Sequence, residues 1–162
     1  MEKMIIVDED DNEIGVKGRG TLNDAVDIYR VSFLWIVNSD GDILLAQRGF
    51  SKRKHPGKWG PAVAGTVDEG ESYEENIVKE AEEEIGLRGY EFVKGEKKRV
   101  RGEYNYFRQM FLCTTDMKIE DFVIQEEELA GLKWFGKDDL ERELKENPDK
   151  FVPVVGDILR LN

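Results

Sequence analysis

The sequence predicts an α/β protein, a layered sandwich built on a mixed β-sheet. Three observations lead there. Short apolar, β-rich runs are interleaved with helical segments, but not in the strict alternation of a parallel-sheet protein. The strongest helical signal, residues 72–85, confines its apolar side chains to one stripe, as a helix lying on a sheet requires. The chain has 162 residues, 40% of them hydrophobic, enough for one domain with a sizeable core.

Residues 4–7 form a short apolar run, followed by a turn-rich segment at 8–12. Residues 31–37 are apolar and β-rich and read as a strand. Asn38-Ser39-Asp40-Gly41 is a turn signal and residues 42–47 a second strand, so the two pair as a hairpin. Residues 51–60 make a basic loop with Pro56 and two glycines, and 62–67 a short strand entering a glycine-rich turn. Ser72 with Glu75 three residues on is a capping box, in which each side chain satisfies a backbone N–H left free by the first helical turn. That helix runs to about Ile85 and stops at Gly86, the residue best suited to a left-handed cap. Residues 91–100, 104–114 and 132–135 read as strands. Residues 138–146 read as a helix ending before Pro148, and 154–161 as a terminal helix. No repeat, low-complexity tract or linker interrupts the chain, so residues 1–162 read as a single domain.

Charge narrows the function. With 24 Lys and Arg against 35 Asp and Glu, the net charge is −11. Non-specific binding to a nucleic-acid backbone or an anionic membrane needs the opposite excess. A phosphate-bearing small molecule remains open, because a bound divalent cation reverses the local sign. Cys113 is the single cysteine, which excludes an intrachain disulfide and points to a reducing, cytoplasmic compartment. No apolar run approaches the roughly 20 residues of a membrane span. The first residues turn acidic too soon for a signal peptide. A single histidine, His55, excludes a His-rich zinc site.

The informative segment is residues 65–87. At about 100° per residue, Glu80, Glu83 and Glu84 fall within an arc of roughly 100°, with Glu82 nearly opposite. Ile77, Ala81 and Ile85 form the adjacent apolar stripe. Three carboxylates crowded beside a buried face repel one another. A hard cation such as Mg²⁺ relieves that repulsion. From acidity alone, a solvated helix face is the competing reading. The spacing as a whole goes further. Gly65, Glu71 six residues later, Lys79-Glu80, Glu83-Glu84 and Gly86-Leu87 resemble the box G-x5-E-x7-R-E-U-x-E-E-x-G-U of the Nudix hydrolase superfamily, U being apolar. All the defining positions match except the arginine, which is Lys79 here. The resemblance implies an α/β/α sandwich with a mixed β-sheet, and a loop–helix–loop that holds Mg²⁺ or Mn²⁺. It implies Glu80, Glu83 and Glu84 as metal ligands, backbone groups of the glycine loop at Gly65 close to the ion, and Glu80 as one candidate for the base. Glu71 would brace the loop against Lys79, more weakly than against arginine, because lysine has no bidentate fork.

In this acidic protein Arg48, Lys52, Arg53, Lys54 and Lys58 stand out. They can grip diphosphate oxygens or serve a solvated loop. The stretch from Gln47 to Trp59 is similar to the R-x3-K-x3-PG-x-W segment of the isopentenyl-diphosphate isomerase branch of the Nudix superfamily, a likeness extending from about Val7 to Trp134. It implies that Arg48 and Lys52 hold the substrate's diphosphate. Isomerase chemistry does not carry over. The branch uses a cysteine in a C-G-H triplet where this chain has Ala64-Gly65-Thr66, its histidine ligands have no counterparts, and Cys113 belongs to another strand. Lys97, Lys98, Arg99 and Arg101 form a second basic cluster followed by Tyr104, Tyr106 and Phe107. That segment either offers a stacking surface for a base or packs into a core or homodimer interface. In many Nudix hydrolases a late-loop glutamate supplies a ligand or the base. Among Glu126, Glu127 and Glu128, Glu127 is the choice here, against a solvated turn.

The sequence therefore predicts a Mg²⁺-dependent hydrolase acting on a small-molecule diphosphate, X–O–P–O–P. X is left open between a nucleoside, a sugar and a prenyl-like chain. An isomerase of prenyl diphosphates and a non-catalytic nucleotide-binding module are the alternatives.

Overall fold

The computed structural model describes residues 2–160. Met1, Asn162 and Leu161, the last residue of the expected terminal helix, lie outside them. The chain runs β1 (Lys3–Val7), β2 (Glu13–Gly18), β3 (Ile28–Val37), β4 (Ile43–Arg48), β5 (Trp59–Pro61), β6 (Val63–Thr66), α1 (Tyr73–Ile85), β7 (Val93–Val100), β8 (Tyr106–Thr114), β9 (Leu129–Phe135), α2 (Lys137–Glu146) and α3 (Pro153–Arg160).

The organising strand is β3. One edge pairs in parallel with β8 along its length, from Tyr29 opposite Tyr106 to Val37 opposite Thr114. Three antiparallel partners share its other edge in succession: β1 at Ile28 and Tyr29, β6 from Val31 to Leu34, and β4 at Ile36 and Val37. The sheet is thus mixed. Period-2 alternation sends Leu34 and Ile36 to one face and Phe33 and Trp35 to the other, and all four are buried. On the first face α1 lays Ile77, Ala81 and Ile85 against Leu34, Ile36, Phe111 and Cys113. On the second, Leu140 of α2 and Val154, Val155 and Ile158 of α3 cover Phe33, Trp35, Leu45 and Met110. The result is the α/β/α sandwich. No described helix is long and apolar enough to cross a membrane.

Helix α1 follows its sequence signals. Ser72 Oγ accepts the Glu75 N–H at 3.1 Å while Glu75 Oε1 accepts the Ser72 N–H at 3.1 Å, and Gly86 closes the helix at φ 68°. Two strands lack a readable signal. β2 buries no residue, so it carries no hydrophobic period and exists through its ladder to β1. β5 is three residues containing Gly60 and Pro61, held by pairing to β4.

The β1–β2 turn is clamped to the sandwich by one carboxylate. Asp11, at φ 62°, accepts hydrogen bonds from Arg30 Nε (2.8 Å), Lys97 Nζ (2.7 Å) and Tyr73 Oη (2.9 Å). Burial pushes its carboxyl upward, but the bonds from Lys97, Arg30 and Tyr73 outweigh burial and hold it below its ordinary 3.8. A depressed carboxyl stabilises the fold fully above its unfolded value, and that contribution fades as pH falls through the folded value. Asp11→Asn keeps the shape and tolerates positive φ, so it isolates the charge. The variant should melt roughly 3–10 °C lower at pH 7, on the order of 1–3 kcal/mol. The deficit should shrink as both proteins are acidified below about pH 4. A deficit of constant size from pH 7 to pH 2.5 would show that the charge is not what the clamp uses.

Candidate active site

The site begins where β6 crosses α1. A side chain on Gly65 would place its Cβ 2.4 Å from Glu80 Cγ, 2.9 Å from Glu80 Cδ and 3.0 Å from Asn76 Oδ1. A side chain there would have to displace the Glu80 carboxylate, which occupies the space. One turn further along, Glu84 is 6% exposed and its Oε2 has no hydrogen-bond partner. Glu80 and Glu84 stand on successive turns of α1 and influence each other's titration. Burial, followed by the charge of Glu80, raises the Glu84 carboxyl well above the usual carboxylate range, and burial raises Glu80 as well. A buried carboxyl with an orphaned oxygen, beside a second, half-buried carboxylate one turn away, fits a divalent cation. Glu83 points to solvent on the flank of this pair. Among the described residues no three acidic, histidine or cysteine side chains already converge as a metal cage. Gly65, Glu80 and Glu84 therefore come together, and Glu83 stands beside them.

The loop before α1 is braced as the box resemblance implied, with lysine in the arginine's place. Lys79 Nζ lies 2.6 Å from Glu71 Oε2 and 3.2 Å from Asp68 Oδ2. Glu71 Oε1 also accepts the Asp68 N–H at 2.8 Å. Lys79 makes single-point contacts to three carboxylates, the third being Glu80 at 3.7 Å, where arginine would fork onto one.

The end of α1 places the opposite wall. The Gln125 N–H donates to Glu84 O at 2.8 Å and the Val123 N–H to Ile85 O at 3.1 Å, so the segment before β9 caps the helix's free carbonyls. The Gly49 N–H then donates to Glu128 O at 2.9 Å, tying this segment to the end of β4. Those backbone bonds aim Glu128 inward, where it ion-pairs with Lys52, while Glu126 and Glu127 are exposed. The structure thus brings Glu128, and not the side chain of Glu127, to the site. Three consecutive glutamates carry no signal in the sequence that distinguishes them.

Arg48 is half-buried, its Nε donating to Lys54 O at 2.8 Å, with Glu84 and Glu128 as its nearest acidic neighbours. Arg48 and Lys52 therefore meet the carboxylates of α1 and the late turn. Lys54 is spoken for: its Nζ donates to Tyr29 Oη at 3.0 Å and lies 4.2 Å from the centroid of the Tyr104 ring. The second basic cluster is engaged elsewhere. Lys97 bonds Asp11, Arg99 and Arg101 bond Glu9, Phe107 is buried in the core, and Tyr106 stacks on Tyr29. Cys113 is buried under α1, and burial pushes its thiol up to about 11.

The family match and the relatives place the chain among the Nudix hydrolases. Residues 28–155 match the NUDIX domain, and the chain belongs to that family. It is 28% identical over 151 residues to a prenyl-diphosphate phosphatase of Methanosarcina mazei, covering 92% of this chain and 88% of that protein. It is 27% identical over 167 residues to an isopentenyl-diphosphate Delta-isomerase of Kocuria rhizophila, covering 98% and 91%. A shorter match, 38% over 82 residues, joins 51% of the chain to an uncharacterised Nudix hydrolase of Pseudomonas aeruginosa, of whose length the chain spans about half, 48%. The fold is shared with a Deinococcus radiodurans protein of known structure at TM-score 0.86 and 20% identity, over 98% of both chains. Nudix enzymes generally use divalent metals and act on small diphosphate compounds.

Gly65→Ala tests the packing on which the site rests. The added methyl can be housed only by driving the Glu80 carboxylate away. The variant should stay folded, losing about 1–3 kcal/mol as an overpacked site does, while divalent-metal binding by calorimetry falls at least tenfold. Undiminished metal binding in a folded Gly65→Ala protein would remove Glu80 from the metal site.

Proposed function

We propose that the protein is a Mg²⁺-dependent hydrolase, with Mn²⁺ as substitute, that cleaves the diphosphate bond of a small molecule X–O–P–O–P. One observation carries the reading: the buried Glu84, with an unpartnered oxygen and Glu80 one turn away, lies among Arg48, Lys52 and Glu128. The M. mazei relative, named as a prenyl-diphosphate phosphatase, supports a diphosphate as the reacting group.

Glu80, Glu83 and Glu84, with the Gly65 backbone, would hold the ion. When bound, it neutralises the diphosphate and lowers the pKa of a water molecule. The protein's own groups do the rest. Lys52 exchanges its Glu128 partner for a phosphate oxygen, and Arg48 takes another, so charge on the breaking bond is met by two fixed cations. Losing Lys52 leaves the Glu128 carboxylate free to accept the proton of the attacking water. Glu80, the other candidate base of the family resemblance, is packed under Gly65 and lies 3.7 Å from Lys79, which suits a ligand better than a proton acceptor. The isomerase alternative needs an activated cysteine, and the only thiol is a buried one with a raised pKa.

Turnover of a diphosphate panel should require millimolar-range Mg²⁺ or Mn²⁺ and stop in excess EDTA. Full activity in the chelator would overturn the reading.

Substitution separates the carboxylates. Glu84→Gln and Glu83→Gln should each lower kcat by about a hundredfold or more, roughly 3 kcal/mol of transition-state stabilisation. Glu82→Gln, on the far side of α1, should change little. Glu128→Gln should also lose about a hundredfold, with Glu127→Gln near wild type. If the Glu127 and Glu128 variants behave alike, the base lies elsewhere.

A further inference from the structure

The basic loop carries a lysine that the proposed chemistry does not use. At its base the loop is closed by backbone bonds: the Arg48 N–H donates to Lys58 O at 2.9 Å and the Gly57 N–H to Arg48 O at 3.1 Å. Its far part is held differently. Among the described residues, no backbone–backbone hydrogen bond involves Lys54. The side chain is what ties Lys54 to the sandwich. Its ammonium donates to Tyr29 Oη at 3.0 Å, and lies 4.2 Å from the centroid of the Tyr104 ring and 4.8 Å from that of Tyr29. His55, the next residue, meets the same Tyr104 ring edge-on at 6.1 Å between centroids. His55 has φ 49°, a left-handed value that a residue other than glycine keeps only where its surroundings impose it.

The receiving surface is firm. Tyr29 is buried at the start of β3, pairs with Tyr106 of β8 and stacks on its ring at 5.5 Å between centroids. The Tyr29 N–H donates to Asn105 O at 3.3 Å, which joins the turn carrying Tyr104 to the same strand. What this clip controls is a carbonyl. Lys54 O accepts the Arg48 Nε–H at 2.8 Å, and among the described residues that is the one hydrogen bond of the Arg48 side chain. Glu84 and Glu128 are its nearest acidic neighbours, yet among the described residues Arg48 ion-pairs with neither. A half-buried guanidinium released beside two carboxylates would turn to them, and once paired there it would be lost to a phosphate. Held through Nε, it keeps both terminal nitrogens as a fork.

We propose that Lys54 is a positioning residue for Arg48: its ammonium, clipped between the Tyr29 hydroxyl and the Tyr104 ring, fixes the carbonyl that holds the Arg48 fork free for a diphosphate. The inference rests on the hydrolase reading for what Arg48 grips. The R-x3-K-x3-PG-x-W likeness that nominated Arg48 and Lys52 leaves position 54 open, so it assigns this lysine nothing. Lys54 itself touches no phosphate in this arrangement, because its charge is already spent on Tyr29 and Tyr104. It acts through Arg48 alone.

The test uses Lys54→Met, which keeps the stem and removes the ammonium, Lys54→Arg, which restores a cation, and Tyr29→Phe, which removes only the hydroxyl. Lys54→Met is also combined with Arg48→Ala, and thermal melts check folding. The first readout needs no substrate. The Arg48 Nε–H resonance, assigned by its absence in Arg48→Ala, should be protected from solvent exchange in the wild type and exchange about tenfold or more faster in Lys54→Met, with Tyr29→Phe between them. The second is binding of Mg²⁺–pyrophosphate by calorimetry, with kcat/KM on the diphosphate panel. Lys54→Met should weaken both by about tenfold, and Lys54→Arg should stay within about threefold of wild type. In an Arg48→Ala protein, Lys54→Met should cost less than about twofold more, because the two residues act as a unit. An Arg48 Nε–H equally protected in Lys54→Met overturns the proposal. So does a Lys54→Met loss undiminished in the Arg48→Ala background, which would mean that the ammonium acts on the substrate or through long-range charge. A pyrophosphate affinity untouched by Arg48→Ala overturns it too, since the fork would then hold no phosphate. If diphosphates are hydrolysed while the Arg48 signal ignores Lys54, the proposal falls and the hydrolase reading stands. If the signal and pyrophosphate binding depend on both residues but nothing is hydrolysed, the hydrolase reading falls and the positioning role stands.

Discussion

The double burial of β3 is the constraint on which the rest of the structure depends. A strand whose residues are buried on both faces needs a helical layer on each side, so α1 and the α2–α3 pair are both obligatory. The same strand has only one edge left once β8 has taken the other, and three short strands divide it. Where β6 ends and β4 begins, the sheet opens. That opening lies beside Glu84 and Arg48. The site is thus a consequence of how one strand shares its edge, and the acidic helix reaches it because α1 lies directly on β6 through Gly65.

Electrostatics on the two sides of that opening are built in opposite ways. On the helix side, like charges are packed together, and desolvation pushes the Glu84 carboxyl toward its neutral form. On the loop side, cations are spread over separate partners: Lys52 on Glu128, Lys54 among Tyr29 and Tyr104, Arg48 on a backbone carbonyl. These contacts keep a positively charged loop folded against an acidic protein. Lys79 bridges the loop and the acidic side: it pairs with Glu71 and Asp68, holding the loop that shapes the entrance to α1, and with Glu80.

What was legible in the sequence follows the physics of each element. α1 was readable because its cap, apolar stripe and terminal glycine are all local. The β3–β4 hairpin was readable from its turn and alternation. β2 and β5 were not, since one buries nothing and the other is too short for a period, and both owe their existence to partners distant in sequence or set by the loop between them. Gly65, Glu80, Glu84, Arg48 and Lys52 could be nominated by spacing. Glu128 could not be told from Glu127, because its direction is set by its backbone bonds to Gln125 and Gly49 and by the bond of Gln125 to Glu84.

The parallel pairing of β3 with β8 has a kinetic consequence. Tyr29 and Tyr106 face each other across that ladder although about 80 residues separate them. The Asp11 clamp likewise spans 62 positions to Tyr73 and 86 to Lys97. Contacts so distant along the chain form only after large loops have closed, and such topologies fold slowly. The central strand, with its run of large apolar residues, must wait for its last partner longer than any local element does. During synthesis β3 emerges long before β8, so the nascent chain carries an unpaired, aggregation-prone edge until most of the domain has left the ribosome.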